Sequence, residues 1–204
     1  MATGSEDDPG LWHAIAELKA GARVEANSRR IFEQFYPWVH RFFRRLGYAL
    51  QDSEDLAQET FHQVFRQIGS FRGESAFKSW LFAVAANLHR NEHRRRHREK
   101  RDAPEVSIDD ASDTGAPAVE PAAREGSPAR TLFEQERREA LARAVKELPP
   151  QMRQALSLRI DRELKYREIA TVLQISVETV KAHLFQARQR LRAELGEDYG
   201  QWVE

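Results

Sequence analysis

Between Asp102 and Arg130 the chain carries Pro104, Pro117, Pro121 and Pro128, half of its eight prolines, together with Gly115 and Gly126 and almost no large apolar side chain. No single core can run through such a stretch, because it buries too little apolar surface to offset the entropy of ordering it. It reads as a linker, so the chain must fold on either side of it. A length of 204 residues suits two small domains joined in this way. No internal repeat relates the two sides.

On both sides the apolar residues recur at helical spacing, and there is no alternating strand pattern of useful length. Ile31, Phe35, Trp38, Val39, Phe42, Phe43 and Leu46 form a broad stripe that Gly47 ends. Asp52 or Ser53 can cap a second helix with Leu56, Phe61, Val64, Phe65 and Ile68 inward. After a turn at 69–74, Phe77, Trp80, Leu81, Val84 and Leu88 make a third, narrower stripe. Beyond the linker, Leu141, Val145 and Leu148 lead to Pro149-Pro150, which must break the helix. Met152, Ala155, Leu156 and Ile160 then mark a short amphipathic helix. The fold class is all-α: two small helical domains, 11–101 and 131–196, joined by a flexible acidic linker, 102–130.

Charge narrows the function. The formal net charge is zero, yet residues 1–10 are net −3, 11–101 are net +7, 102–130 are net −5 and 131–204 are net +1. Such segregation points to different partners for different segments. From His89 to Arg101 the apolar stripe stops while helix-compatible residues continue, with seven basic side chains against two acidic. A helix polar all round projects into solvent or meets a polyanion, and this density of charge favours nucleic acid. The absence of cysteine excludes a disulfide scaffold, a thiolate zinc site and a cysteine nucleophile. The acidic start has no apolar core of a secretory signal, and Trp80 to Leu88 is too short to cross a bilayer. A cytoplasmic protein with no membrane partner is expected.

Tyr166 to Leu173 predicts a short helix with Ile169, Ala170 and Leu173 inward, and Gln174-Ile175-Ser176 a tight connection. Ser176 then caps a longer helix carrying Val180, Leu184, Ala187, Leu191 and Leu195. Ala170 is small enough for two helices to cross steeply and Ile175 plugs the turn, the pattern of a helix-turn-helix. Off the apolar stripe of the second helix lie Glu178, Thr179, Lys181, Ala182, His183, Gln186, Arg188, Arg190 and Arg192. Polar groups near its start suit base edges, and the arginines further along suit phosphates.

Blocks on both sides of the linker resemble a known family. Asp55-Leu56-Ala57-Gln58-Glu59-Thr60-Phe61, Ser70-Phe71-Arg72-Gly73-Glu74-Ser75 and Phe77-Lys78-Ser79-Trp80-Leu81, with Asn87 following, are similar to domain two of sigma factors. Leu148-Pro149, Tyr166-Arg167-Glu168-Ile169-Ala170 and Thr179-Val180-Lys181 to Leu191 are similar to sigma domain four. A two-domain chain of this kind resembles the extracytoplasmic-function (ECF) group of the sigma-70 family. The resemblance implies a non-enzymatic initiation factor that confers promoter specificity on bacterial RNA polymerase and promotes DNA melting. It implies that Asp55, Gln58, Glu59 and Phe61 dock the β′ clamp helices, and that domain four meets the β flap. It implies that Phe71, Arg72, Trp80, Asn87 and Asn91, with Arg94 and Arg95 beside them, capture the melted non-template strand of the minus-ten element. An unstacked base needs an apolar surface and an edge-reading amide, which Trp and Asn supply. Thr179, Lys181, Ala182, His183, Gln186, Arg188 and Arg190 would read the duplex minus-thirty-five element. The acidic linker would thread the positively charged path of the polymerase, and an anti-sigma factor is a further partner that many relatives have. No cofactor is expected.

Three other readings compete with this one. His89-Arg90-Asn91-Glu92-His93 fits H-x-x-E-H, with His97 a turn later, but the surrounding arginines would repel a divalent cation and no third ligand is evident. Ser75-Ala76-Phe77-Lys78 fits S-x-x-K without the motifs that accompany it in β-lactamase-type enzymes. The stronger rival is a conventional helix-turn-helix regulator that binds duplex operator DNA without polymerase, against which the block from Asp55 to Asn91 argues.

Overall fold

The computed structural model describes residues 9–102, 136, 139–162 and 164–196, and every regular element among them is helical. The apolar periodicity read from the sequence begins at Ile31 and omits α1 (Pro9–Lys19), which buries Leu11, Ala14, Ile15 and Leu18. A turn through Gly21 and Arg23, both with positive φ, leads into α2 (Val24–Arg45). That helix carries the broad stripe, with Ile31, Phe35, Val39, Phe42 and Phe43 buried. Gly47 follows at φ 95, a conformation that penalises any side chain, and an added Cβ there would meet Arg153 Nη1 at 3.2 Å.

The next helix, α3 (Leu50–Arg66), starts before the caps expected at Asp52 or Ser53. Ala49 occupies the N-cap position with no side-chain bond, and Ser53 instead turns its hydroxyl back onto the Ala49 carbonyl at 2.8 Å. A short 3₁₀ turn, Ile68–Ser70, and an irregular stretch to Ala76 precede α4 (Phe77–Asp102). Edge-to-face rings lock these helices together: Phe35 on Phe77 at 5.5 Å, Phe42 on Phe82 at 5.5 Å and Phe32 on Phe61 at 4.9 Å. Such pairs add to the area they bury.

The acidic segment 103–130 lies outside the described residues. After it come helical residues 139–146 (α5), then α6 (Pro150–Arg162), α7 (Tyr166–Leu173) and α8 (Val177–Leu195). Pro150 opens α6, where its missing N–H costs nothing. α6 and α7 both pack on α8, whose Val180, Leu184, Ala187 and Leu191 are buried. Ile160, expected inward, is 51% exposed because the buried face of α6 runs through Ala155, Leu156 and Leu158 instead.

The two helical domains touch. α7 lies on α4, and α6 lies on α2. Among the described residues, hydrogen bonds that cross the seam include Ser79 Oγ to Glu168 Oε1 (2.6 Å), Arg90 Nη1 to the Leu173 carbonyl (3.2 Å) and Arg153 Nη1 to the Leu46 carbonyl (3.0 Å).

Candidate nucleic-acid interface

α4 divides into two halves by chemistry. Its first half buries Phe77, Leu81, Phe82, Val84, Ala85 and Ala86, and its second carries the basic run. Spacings of seven, four and three place Trp80, Asn87, Asn91 and Arg94 on one stripe of this helix. Trp80 is half-buried, while Asn87, Asn91 and Arg94 are exposed. Asn87 Oδ1 accepts a hydrogen bond from Arg90 Nη2, so the arginine that reaches α7 also orients this amide.

Not all of the basic run is presented alike. Glu92 accepts Arg95 Nε and Nη2, each at 2.8 Å, and Arg96 Nε at 2.7 Å. These bonds, that from Arg95 foremost, hold its carboxyl down to about 2. Arg96 also reaches Asp52 Oδ2 at 2.8 Å and stacks its guanidinium 4.9 Å from the Tyr48 ring centre, tying the basic half of α4 to the start of α3. His89 is buried and shares a 2.9 Å hydrogen bond through Nδ1 with the Tyr48 hydroxyl. Burial pushes the imidazole down to about 4 and the phenol up to about 12. The H-x-x-E-H run therefore has its first histidine and its glutamate committed to Tyr48 and to arginines, and no group of three or more metal-ligating side chains occurs among the described residues.

Phe71 departs from its expected place. Its ring is 2% exposed, stacked on Trp12 at 5.6 Å and packed against Trp80 at 5.2 Å and Phe77 at 5.5 Å. It supports the turn from beneath, leaving Arg72 exposed above it and Trp80 as the half-open aromatic surface. Phe77 is fully buried, as expected of a core residue.

On α3, Asp55, Gln58 and Glu59 are exposed at helical spacing, and Glu59 Oε1 accepts the Gln63 amide at 2.9 Å. Phe61 does not join them. It is 2% exposed on the opposite face, where a helix must place the residue that packs on Phe32, and so it holds α3 in position.

Ser176 caps α8 as expected, accepting the Thr179 N–H at 3.0 Å and sharing a 2.9 Å bond with its hydroxyl. Lys181, Ala182, Gln186, Arg188 and Arg190 are exposed, and Thr179 and His183 are half-buried. Burial lowers the His183 pKa, and its Nδ1 is buried without a partner. Sequence reasoning passed over Phe185, which is 63% exposed between Lys181 and Arg188 along one side of α8. Its signal was an aromatic residue one place off the apolar stripe.

Comparison with known proteins gives the family of both halves. The family described as "Sigma-70 region 2" matches residues 31–99, and "Sigma-70, region 4" matches residues 138–191. The chain is 32% identical over 177 residues to the RNA polymerase sigma-H factor of Pseudomonas aeruginosa, covering 83% of this chain and 88% of that one. It is 30% identical over 142 residues to the ECF RNA polymerase sigma-E factor of Escherichia coli, covering 69% and 72% respectively. Among solved structures, the sigma factor RpoE of Bartonella quintana, in complex with the anti-sigma factor NepR, shares the fold with a TM-score of 0.65, 24% identity and coverage of 83% and 97%. CnrH in complex with the cytosolic domain of CnrY gives a TM-score of 0.60 at 20% identity, covering 88% and 93%. Carrying both regions in order on two helical domains, the chain belongs to the sigma-70 family of RNA polymerase sigma factors, in the two-domain ECF form that acts in transcription initiation.

Proposed function

We propose that this sigma factor divides promoter recognition between two exposed polar faces, and that their separate placement on two domains is the observation that carries the reading. The α4 stripe of Trp80, Asn87, Asn91 and Arg94, with Arg72 and Arg95 at its margins, takes the unpaired minus-ten strand. An indole gives a stacking surface, an amide reads an edge, and the arginines hold phosphates. The α8 face of Thr179, Lys181, Ala182, His183, Gln186, Arg188 and Arg190 lies in the duplex major groove of the minus-thirty-five element. Asp55, Gln58 and Glu59 dock the polymerase β′ clamp helices, acidic groups meeting a basic partner. Phe61 and Phe71 contribute from the core. The working bounds are 11–101 for the first domain, 102–130 for the linker and 131–196 for the second. Chemistry belongs to the polymerase, the chain supplies no catalytic group, and its place of work is the cytoplasm. Among the described residues no helix is long and apolar enough to cross a membrane. An anti-sigma factor is a further partner, as the fold neighbours were each solved with a regulatory chain.

Geometry adds a requirement. Elements about 25 base pairs apart lie ~85 Å apart along B-form DNA. Domains in contact through α4 and α7 cannot occupy both. The 28 residues from 103 to 130 can span up to ~100 Å, so the domains must part on the promoter and the linker is long enough to let them.

Run-off transcription with core polymerase on genomic fragments tests the function. New start sites should appear only with core and chain together, each preceded by a common pair of elements. Specific binding of the pure chain to a duplex site, with no effect on start sites, would return the reading to a conventional regulator.

A further inference from the structure

The turn that presents Arg72 is held from below by the helix the periodicity reading omitted. Two positions of the turn, Phe71 and Gly73, flank Arg72 and meet α1. The Trp12 indole stacks on the Phe71 ring, 5.6 Å between centres and 20° between planes. Lys19 Nζ donates to the Phe71 carbonyl and sits 5.7 Å from the centre of the same ring. Gly73 lies at φ 73 directly against Trp12, where an added Cβ would come within 3.1 and 3.3 Å of indole carbons. The backbone bonds that bracket the turn are at its ends, from Phe71 N to the Ile68 carbonyl (3.1 Å) and from Ser79 N and Trp80 N to the Ala76 carbonyl (3.0 and 3.2 Å). The path from Lys19 to the proposed base-stacking surface is short, because Phe71 packs in turn on Trp80 at 5.2 Å.

We propose that α1 is the positioning element of minus-ten recognition: Trp12 and Lys19, acting through Phe71 and Gly73, set where Arg72 and Trp80 meet the unpaired strand. Lys19 spends its charge on a carbonyl at the end of the 3₁₀ turn, although it lies on the exposed side of α1 in a basic domain. A cation hydrogen-bonded to a carbonyl is a strong, directional tether. Neither residue touches DNA in this account. Their effect is on which base is accepted, since a recognition surface displaced by about an ångström loses its geometric match before the fold loses stability.

The inference rests on the minus-ten reading above, and the test separates the two. Holoenzyme assembled from core polymerase and the full chain is challenged with fork-junction DNA whose unpaired minus-ten stretch is randomised, and base preference in the bound fraction is read by sequencing. Lys19→Met keeps the aliphatic stem and removes the donor; it should flatten the preference about tenfold, with core affinity and melting temperature held near wild type. Trp12→Ala should flatten it as well, at core affinity near wild type but with a lower melting temperature, and Trp12→Phe should restore most of the preference. Arg72→Ala and Trp80→Ala probe the surface itself. If these two flatten the preference while Lys19→Met and Trp12→Phe both leave it at the wild-type value and Trp12→Ala does too, α1 has no positioning role and the minus-ten reading stands. If Arg72→Ala and Trp80→Ala are themselves without effect, the minus-ten reading fails. Flattening that arrives only with weakened core binding marks general loss of fold and also overturns the inference.

Discussion

His89 keeps its imidazole neutral because the ring is buried, and because His93, Arg153, Arg90 and Arg96 place positive charge around it. Its pKa falls from 6.5 to about 4. The unfolded chain takes up a proton below its ordinary value while the folded chain refuses it down to about 4, so protonation favours unfolding across that interval. The stability His89 protects is fully present above about pH 6.5 and is lost progressively as pH falls towards 4. Glu92 titrates lower, between 4.5 and about 2, and leaves most of this window clear. Urea midpoints at pH 7.5 and 5.5 should therefore fall more for the wild type than for His89→Gln; equal falls would show that the ring is hydrated in solution. Residue types did not disclose this role: a histidine inside H-x-x-E-H looks like a ligand until Tyr48, forty-one positions earlier, is seen to hold it. Phe61 and Phe71 escaped for a related reason, since an aromatic residue suits a partner surface and a core equally well and only packing chooses.

At the scale of elements, α8 combines an apolar stripe that fixes its docking with a face free to meet a polyanion. Lys181 and Arg188, seven positions apart, lie on the same side of the helix and are exposed. If both hold phosphates, Lys181→Ala with Arg188→Ala should weaken holoenzyme binding to duplex upstream DNA and reduce the slope of log affinity against log salt by about 2. An unchanged slope would place the contacted phosphates elsewhere on α8. This helix was legible because several signals coincide: a Ser176 cap, a complete stripe and a charged opposite face. The start of α3 was not, because its cap is Ala49, which has no side chain to bond, and its first residue, Leu50, is an apolar group 55% exposed. α1 was missed although Leu11, Ile15 and Leu18 keep helical spacing, since eleven residues without a capping signal make a weak pattern. Its stability comes from packing on α2 and on the turn below Phe71, which only the folded chain reveals.

For the whole molecule, the linker composition foretold two domains and was silent on whether they touch. Contact between them depends on surfaces far apart in sequence, such as Ser79 and Glu168, eighty-nine positions apart. That bond is short, 2.6 Å, charge-assisted and set in a seam where Ser79 is only 3% exposed. The other carboxylate oxygen of Glu168, Oε2, accepts the Lys165 N–H at 2.7 Å, so removing the serine hydroxyl leaves that bond, and with it the cap of α7, in place. Ser79→Ala should therefore loosen the closed arrangement without unfolding either domain, raising the open fraction about tenfold. The chain has no cysteine of its own, so dyes can be placed singly at Gln51→Cys and Glu194→Cys, both exposed and one on each domain. Single-molecule energy transfer on the free chain should show a dominant compact population that Ser79→Ala shifts towards separation, and addition of core polymerase should abolish the compact state in both proteins. A compact population that core polymerase leaves untouched would contradict the opening that two-element promoter binding requires, since touching domains cannot reach both ends of a ~85 Å stretch of duplex.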